Sequence, residues 1–335
     1  MLAAKKSEKE YILLTGGAGY IGSAISYYLL SDNKHVIIVD NFSNSHESNQ
    51  QSLPNKETLK TFNIDCCNYS ALEHVFITHK ISVIIHCAGV KAVAESVQLP
   101  IKYYENNLIS SINILKLTSK YNVRKFIFSS SATVYGNQSS PLNENAQTGI
   151  GITNPYGMTK YMIECMIGDL AKVSPQIEFI ILRYFNPVGT INHGQITENP
   201  RDKPNNLMPI IIQNYLQNTP IHIFGNDYAT SDGTPARDYI HIEDLALGHI
   251  KAIEYQNKHT NLSTFNLGTG KSYTVLEVLK TFEKINGVQL QYMYSDRRSG
   301  DQENVYCDPR KSSRELNWKA KHGLSEMCDF RHLKS

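Results

Sequence analysis

Thr15-Gly16-Gly17-Ala18-Gly19-Tyr20-Ile21-Gly22 stands between a short apolar run, Tyr11–Thr15, and a stretch with helical spacing, Tyr20–Leu30. It satisfies G-x-G-x-x-G, and Gly16, Gly19 and Gly22 also fit G-x-x-G-x-x-G. Between a strand and a helix, glycines of this spacing allow a tight turn, close backbone approach to a pyrophosphate, and close helix–strand packing. The phosphates then meet the free N–H groups and positive end of the helix. The next strand run, Val36–Asp40, ends on an acid about twenty residues further on, where a ribose-binding carboxylate belongs. No Lys or Arg occurs from Asn41 to Leu53 to receive a 2′-phosphate, so the pattern favours NAD over NADP. Asp65, after the third run Lys60–Ile64, either meets the adenine or serves a turn.

Outward from this turn, short runs (Ile81–His86, Lys125–Ser129, Phe179–Arg183) alternate with helical stretches (Tyr69–His79, Ile101–Tyr121, Asn154–Lys172). That alternation predicts right-handed βαβ units and an α/β fold, a doubly wound, Rossmann-like parallel sheet. After Asn186 the texture changes: Thr190–Asn205 is polar and rich in Asn and Pro, then shorter mixed elements follow. We expect an NAD-binding domain over 1–187, with a segment near 236–256 folding back onto it. A smaller α/β nucleotide-sugar-binding domain is expected over 188–335, the two sharing a cleft.

Composition narrows the class. Hydrophobic residues make up 41% and charged residues 19%, which predicts a packed core and no global disorder. A net charge of +2 with both signs scattered leaves no footprint for nucleic acid. The polar, lysine-rich start Met1–Glu10 lacks a signal-peptide core, and no stretch approaches the roughly 20 apolar residues of a membrane span. Cys66, Cys67, Cys87, Cys165, Cys307 and Cys328 show no CxxC spacing. They read as reduced thiols of a cytoplasmic protein without a metal site.

The chemistry sits farther along. Ser129-Ser130-Ser131 closes the fifth strand, at the edge where open α/β sheets bind ligands. Tyr156 and Lys160, four apart, share one face of the following helix. A phenol of pKa about 10 is only about 0.1% ionised at pH 7, and bringing it near 7 takes about 4 kcal/mol. An ammonium about 4 Å away, at an effective dielectric near 20, supplies energy of that order. Tyr156 then becomes a general base for a sugar hydroxyl, with Ser131 relaying or orienting the proton.

These residues carry a resemblance. TGGAGYIG, CAGVKAVAESV (Cys87–Val97), YYENN (Tyr103–Asn107), FSSSATVYG (Phe128–Gly136) and NPYGMTK resemble the extended short-chain dehydrogenase/reductase family. LRYFNPVG (Leu182–Gly189), PNNLMP (Pro204–Pro209), IFGNDY (Ile223–Tyr228), DGTPARDYIH (Asp232–His241) and ELNW (Glu315–Trp318) narrow it to the UDP-glucose 4-epimerases, from about Tyr11 to Met327. The resemblance implies Ser131, Tyr156 and Lys160 as the catalytic set, with Tyr156 as proton acceptor. It implies an NAD lined by Tyr20, Ile21, Asp40, Asn41, Phe42, Ser43, Asn44, Ser45, Asp65, Cys66, Cys87, Ala88, Gly89, Lys91 and Asn106, with Phe185 beside the nicotinamide. Asn186, Asn206, Leu207, His222, Ile223, Phe224, Arg237, Arg298 and Asp301 would hold a UDP-sugar, and Lys91 borders both ligands. From the residues alone, Arg237 and Arg298 read equally as phosphate forks or surface ion pairs. The implied reaction oxidises the sugar at C4, turns the 4-keto sugar over and reduces it on the other face, with NAD retained. The family commonly pairs through helices equivalent to Tyr103–Lys120 and Asn154–Lys172, so a homodimer is expected.

Some positions depart from that family. Related dehydratases usually place an acid after the two strand-end serines, whereas Ser131-Ala132-Thr133 stands here, which favours epimerisation over water elimination. Met158 replaces a common lysine and Ser110-Ser111 a small pair containing glycine; both are expected to be tolerated. Val305 stands where members restricted to plain hexoses carry tyrosine, so room for an N-acetyl group, and turnover of UDP-GlcNAc and UDP-GalNAc, is expected. The chain ends soon after Met327, short of the family's usual tail, so C-terminal packing is expected to differ. Two other readings stay open: an epimerase for UDP-pentoses or UDP-uronates, and a non-catalytic regulator that binds NAD or a sugar nucleotide.

Overall fold

Aliphatic runs alternate with helical stretches through the first half of the chain. The computed structural model, which describes residues 9–201, 203–257, 259–298 and 300–334, folds them as parallel strands and covering helices. The lead 1–8 lies outside the described residues. The first half runs β1 (Glu10–Thr15), α1 (Tyr20–Ser31), β2 (Val36–Asp40), β3 (Leu59–Asn63), α2 (Tyr69–Thr78) and β4 (Lys80–His86). It continues with α3 (Val93–Gln98), α4 (Pro100–Lys120), β5 (Lys125–Ser131), α5 (Pro155–Val173), β6 (Glu178–Tyr184) and β7 (Asn186–Val188). Then come α6 (Leu207–Gln217), β8 (Ile221–Phe224), β9 (Ala236–Arg237), β10 (Tyr239–His241), α7 (Ile242–Glu254) and β11 (Leu262–Leu267). The last elements are β12 (Tyr273–Thr274), α8 (Val275–Asn286), β13 (Tyr292–Ser295), β14 (Asn304–Val305), α9 (Arg310–Glu315) and α10 (Leu324–Met327).

The expected doubly wound sheet is present, parallel throughout, in the order β11-β6-β5-β4-β1-β2-β3. The order reverses between β1 and β4, which opens a crevice at the carboxyl ends of the strands. Side chains alternate between two cores. Ile12, Leu14, Ile38, Ile85 and Ile127 face α1 and α7, while Leu13, Ile37, Val39, Ile84 and Phe126 face α2, α4 and α5. The outer strand β11 is not expected from the sequence pattern, because Ser263, Thr264 and Asn266 dilute its apolar run; it pairs with β6 from Leu262↔Phe179 to Leu267↔Tyr184. Residues 239–254 also lie against the first half, β10 pairing with β7 and α7 packing on α1.

A third core, built from α6, β8, α8 and the C-terminal segment, buries Ile211, Ile223, Leu279, Phe282, Met327 and Phe330. The fully buried Asp238 joins this part to the sheet. Its carboxylate accepts from the Thr269 N–H and hydroxyl (2.9 and 2.7 Å), the Gly270 N–H (2.9 Å) and the Cys307 N–H (3.2 Å). Its carbonyl accepts from the Asn186 amide.

The glycine turn is tight for a measurable reason. A Cβ on Gly22 would lie 2.3 Å from the Gly16 carbonyl oxygen, and one on Gly16, held at φ +69°, 2.7 Å from the Ala88 nitrogen. We therefore expect Gly22→Ala to cost about 2–3 kcal/mol, the scale of overpacking at a rigid contact, and to abolish retention of a dinucleotide. A variant with wild-type urea midpoint and full cofactor content would contradict this reading of the turn.

Candidate active site

No side chain caps α1, whose N-cap is Gly19, and its first turn holds no acid. The turn thus keeps the donors and the open approach that a pyrophosphate needs. Asp40, at the end of β2, folds its own loop: the carboxylate accepts the Ala18 N–H (3.0 Å), the Phe42 N–H (2.9 Å) and the Ser45 hydroxyl (3.0 Å). Phe42 sits in the left-handed region at φ +54°. Asn41 caps Ser43 and reaches Asp65 at 3.2 Å, so both acids, 40 and 65, stand on one rim. Tyr20 turns its hydroxyl to the Gly189 carbonyl (2.6 Å), a contact from the cofactor turn to the second part. Cys66 is buried among the apolar side chains under the sheet, and burial pushes its thiol up. Ile223 likewise buries its side chain, in the third core.

Asn154 accepts the Gly157 N–H at 2.8 Å and Pro155 opens α5, which fixes Tyr156 in the first turn and Lys160 one turn on. Ser131, at the end of β5, accepts from the Thr133 N–H (3.2 Å) and hydroxyl (3.0 Å). Burial pushes the Tyr156 phenol up to about 12, and the Ser131 hydroxyl beside it pulls the other way. Lys160 shares the helix face of Tyr156 and is also tied to the strand end. Its Nζ donates to the Ser129 carbonyl at 2.6 Å and lies 4.8 Å from the Phe128 ring centre and 5.8 Å from that of Tyr156. A buried ammonium takes the nearest strong acceptor, here a strand-end carbonyl. Burial holds it down to about 8, against the opposing pull of Cys87 and Glu164.

Neighbouring groups complete the wall. Gly89 and Val90 close on Asn107, whose amide bonds the Val90 backbone in both directions and the Thr159 hydroxyl at 3.0 Å. Asn106, the neighbour expected at the NAD, is half-buried, its carbonyl near the Cys67 thiol. Ser111 bonds His86 at 2.9 Å, which gives the unusual serine pair a partner. Phe185 is buried with Val134, Tyr135, Leu142 and Cys307, and the half-buried Val305 packs against that group.

The second part brings the other expected residues together. Arg237 (3.0 Å) and Arg298 (3.0 Å) both bond Asp301, and the Arg298 guanidinium lies 4.7 Å over the Phe224 ring. His222 stacks beside Phe224 with Nδ1 2.9 Å from the Ser295 hydroxyl. Leu207 begins α6, and Asn206 precedes it. Lys91 pairs with Glu198 at 2.5 Å, and the same carboxylate takes the Asn206 amide at 2.7 Å, linking the segment after β4 to the start of α6. Glu198, Asn107, Glu164, Arg183 and Asp238 escape the sequence reading. For Arg183 a signal exists: it is a lone charge inside an apolar run.

Among the described residues, His241, Glu243 and His322 bring possible metal-ligand atoms within 4.8 Å. His241 spends Nδ1 on the Glu243 N–H and stacks on His322 at 4.3 Å, an arrangement that starts α7 rather than aiming lone pairs at one point. Also among the described residues, no helix is long and apolar enough to cross a membrane.

The model of the NAD-dependent epimerase/dehydratase family matches residues 12–268. A UDP-glucose 4-epimerase of Bacillus subtilis is 45% identical over 95% of this chain and 94% of its own length. One from Mus musculus is 43% identical over 96% and 95%. Among solved structures, a UDP-glucose 4-epimerase from Bifidobacterium longum, in complex with NAD+ and UDP, superposes with a TM-score of 0.89. It is 41% identical, over 95% of this chain and 96% of that one.

The depressed Lys160 gives a stability prediction with a definite sign. Its folded value of about 8 lies below its ordinary 10.5, so folding disfavours the ammonium, fully below pH 8 and progressively less up to 10.5. Replacing it with the similarly sized methionine removes that cost along with the Ser129 hydrogen bond. Lys160→Met should gain about 1–2 kcal/mol at pH 7, less at pH 10, and lose about 10²–10⁴-fold in turnover. Urea midpoints at both pH values, at equal cofactor content, check the sign; a less stable variant at pH 7 overturns it.

Proposed function

The chain belongs to the NAD-dependent epimerase/dehydratase family, and on that premise we propose that it is a UDP-glucose 4-epimerase, interconverting UDP-galactose and UDP-glucose. The observation that carries this reading is the convergence of Ser131, Tyr156 and Lys160 at the carboxyl ends of the strands, beside an uncapped glycine turn. The turn fits a dinucleotide: its donors are available, and Asp40 and Asp65 stand at one rim. Gly16, Gly19, Tyr20, Ile21 and Gly22 would hold the pyrophosphate, and the rim acids the adenosine half. NAD, when bound, would supply the acceptor for the C4 hydride, the donor of that hydride back to the ketone, and, while oxidised, a positive charge near the phenol.

Tyr156 takes the proton of the sugar 4-hydroxyl, and Ser131 orients or relays it. After the 4-keto sugar turns about its link to the diphosphate, the same phenol returns the proton on the other face. Lys160, an ammonium below about pH 8, favours the anionic phenol by its charge. Arg237 and Arg298 exchange their shared Asp301 partner for the diphosphate, while Asn186, Asn206, Leu207 and the 222–224 strand hold the uridine. Tight binding remote from the hexose retains the intermediate while the sugar turns.

The remaining readings follow from the same surfaces. The cofactor layer comprises 1–187 together with the returning segment near 236–256, and 188–335 supplies the nucleotide-sugar side. All six thiols are free, which supports a cytoplasmic location. Ile101, Ile109 and Ile112 on α4 and Met162 on α5 are exposed, and this face pairs two copies into a homodimer. Sedimentation should give twice the chain mass, and Ile109→Glu should halve it; a wild-type monomer at micromolar concentration overturns the pairing.

Purified protein mixed with UDP-galactose alone should form UDP-glucose without added NAD. Failure even with NAD supplied would turn the reading toward another sugar nucleotide or a binding protein. In the same assay Val305 leaves room for an N-acetyl group, so the wild type should convert UDP-GlcNAc and Val305→Tyr should not. Equal inactivity of both on UDP-GlcNAc would end the breadth claim.

A further inference from the structure

Behind the catalytic strand end lies a charge pair that the reaction itself does not use. Glu164 sits one helical turn beyond Lys160 on α5, and Arg183 is the register partner of Ser130 on the β5–β6 ladder. Both side chains are buried, each 7% exposed. Arg183 grips Glu164 with two bonds, Nε at 3.1 Å and a terminal nitrogen at 2.7 Å, and the Ser130 hydroxyl donates to the same carboxylate at 2.5 Å. The remaining arm of Arg183 donates to the Tyr135 hydroxyl at 3.0 Å, which donates in turn to Asn266 on β11 at 2.6 Å.

The connections reach every element that carries a reacting group. Ser130 adjoins Ser131 at the end of β5. Tyr135 closes the short turn of helix, Ala132–Tyr135, that Ser131 caps. Glu164 shares its helix with Tyr156 and Lys160. We propose that Glu164 and Arg183 are positioning residues for the epimerase reaction: one buried ion pair holds α5, the β5 end and the following turn in register and sets the charge felt by Tyr156 and Lys160.

The electrostatic half follows from what else faces this corner. From β4 come His86, held down to about 3, and Cys87, pushed up to about 12, both by burial. Tyr103 from α4 and Tyr184 from β6 are pushed up by burial, and Tyr135 to about 12. These groups are neutral near pH 7. Glu144, raised by burial, faces Arg183 only from behind, where its backbone carbonyl meets the guanidinium and its carboxylate takes the Asn266 N–H. From α3, Glu95 takes the Tyr103 hydroxyl at 2.7 Å and is paired with the exposed Lys102. The buried charges beside Tyr156 among the described residues are Lys160 and the Glu164–Arg183 pair, and Glu164 favours the Lys160 ammonium. A buried pair is retained at a stability cost that an apolar pair would avoid; here it serves alignment and local neutrality.

The inference rests on the proposed activity, and the test separates the two. In Glu164→Gln the amide keeps the shape but leaves Arg183 unopposed. The added positive field favours the Tyr156 phenolate and disfavours the Lys160 ammonium, so both limbs of the kcat–pH profile should move to lower pH by on the order of half a unit or more. Turnover should fall about tenfold or more. Glu164→Gln with Arg183→Met restores neutrality, so the limbs should return while turnover stays low. Glu164→Asp keeps the charge on a shorter arm and serves if the amide variant does not fold: limbs unmoved, turnover reduced. Ultraviolet difference titration against Tyr156→Phe follows the phenol without any turnover and should show the same downward shift for Glu164→Gln. Unmoved limbs and phenol titration in Glu164→Gln, or wild-type turnover in Glu164→Asp, would overturn the proposal even where UDP-galactose is converted normally.

Discussion

The close contact between Gly16 and Gly22 is the constraint from which the site follows. Helix α1 begins on the backbone of the turn that ends β1; a side chain at Gly22 would push the two apart, and one at Gly16 would strike the backbone of Cys87 and Ala88. That approach places an uncapped helix end over the sheet crevice and sets the distance from the turn to Asp40, Tyr20 and the end of β4. Because the donors are backbone atoms of packed elements, the cradle requires no rearrangement before it accepts charge. Preorganised donors of this kind lose little entropy on binding.

The groups proposed for catalysis are added to this frame by other elements, each anchored separately. Asn154 starts the helix of Tyr156, β5 delivers Ser131, and the buried network around Glu164 keeps those two elements in register. Asp238 does the equivalent work for the second part of the chain. Four bonds to one carboxylate gather the 269–270 loop and Cys307 around the strand that precedes α7. The cleft is thus framed by two buried acids that act on backbone and side-chain donors, neither of them in the proposed reaction.

Much of this was legible in the residues. The glycine turn, the five strands preceding the catalytic helix, and the Tyr–Lys pair follow from periodicity and spacing, because each is a local pattern. Strand β11 was not legible: at a sheet edge, Ser263 and Asn266 find partners that no local pattern announces. Glu198 and Glu164 were missed for a related reason. An acid on a helix or in a polar loop looks solvated until the fold supplies an arginine or a lysine opposite it. Spacing put Lys160 on the helix face of Tyr156 but could not announce its bond to the Ser129 carbonyl, an acceptor that only the folded sheet brings near. Of the two readings open for Arg237 and Arg298, the ion pair is the one seen: both meet Asp301, and Arg298 also lies over the Phe224 ring.

The late arrival of β11 also bears on how the chain is made. Strand β6, aliphatic and buried in the finished sheet, emerges from the ribosome well before the segment that covers its outer edge. Until residue 267 has been synthesised, the nascent sheet presents an unpaired apolar edge, the feature that recruits wrong partners. The second half of the chain therefore also ends the period in which the first half is vulnerable. A break anywhere between the two would leave behind an adhesive fragment rather than a smaller working domain.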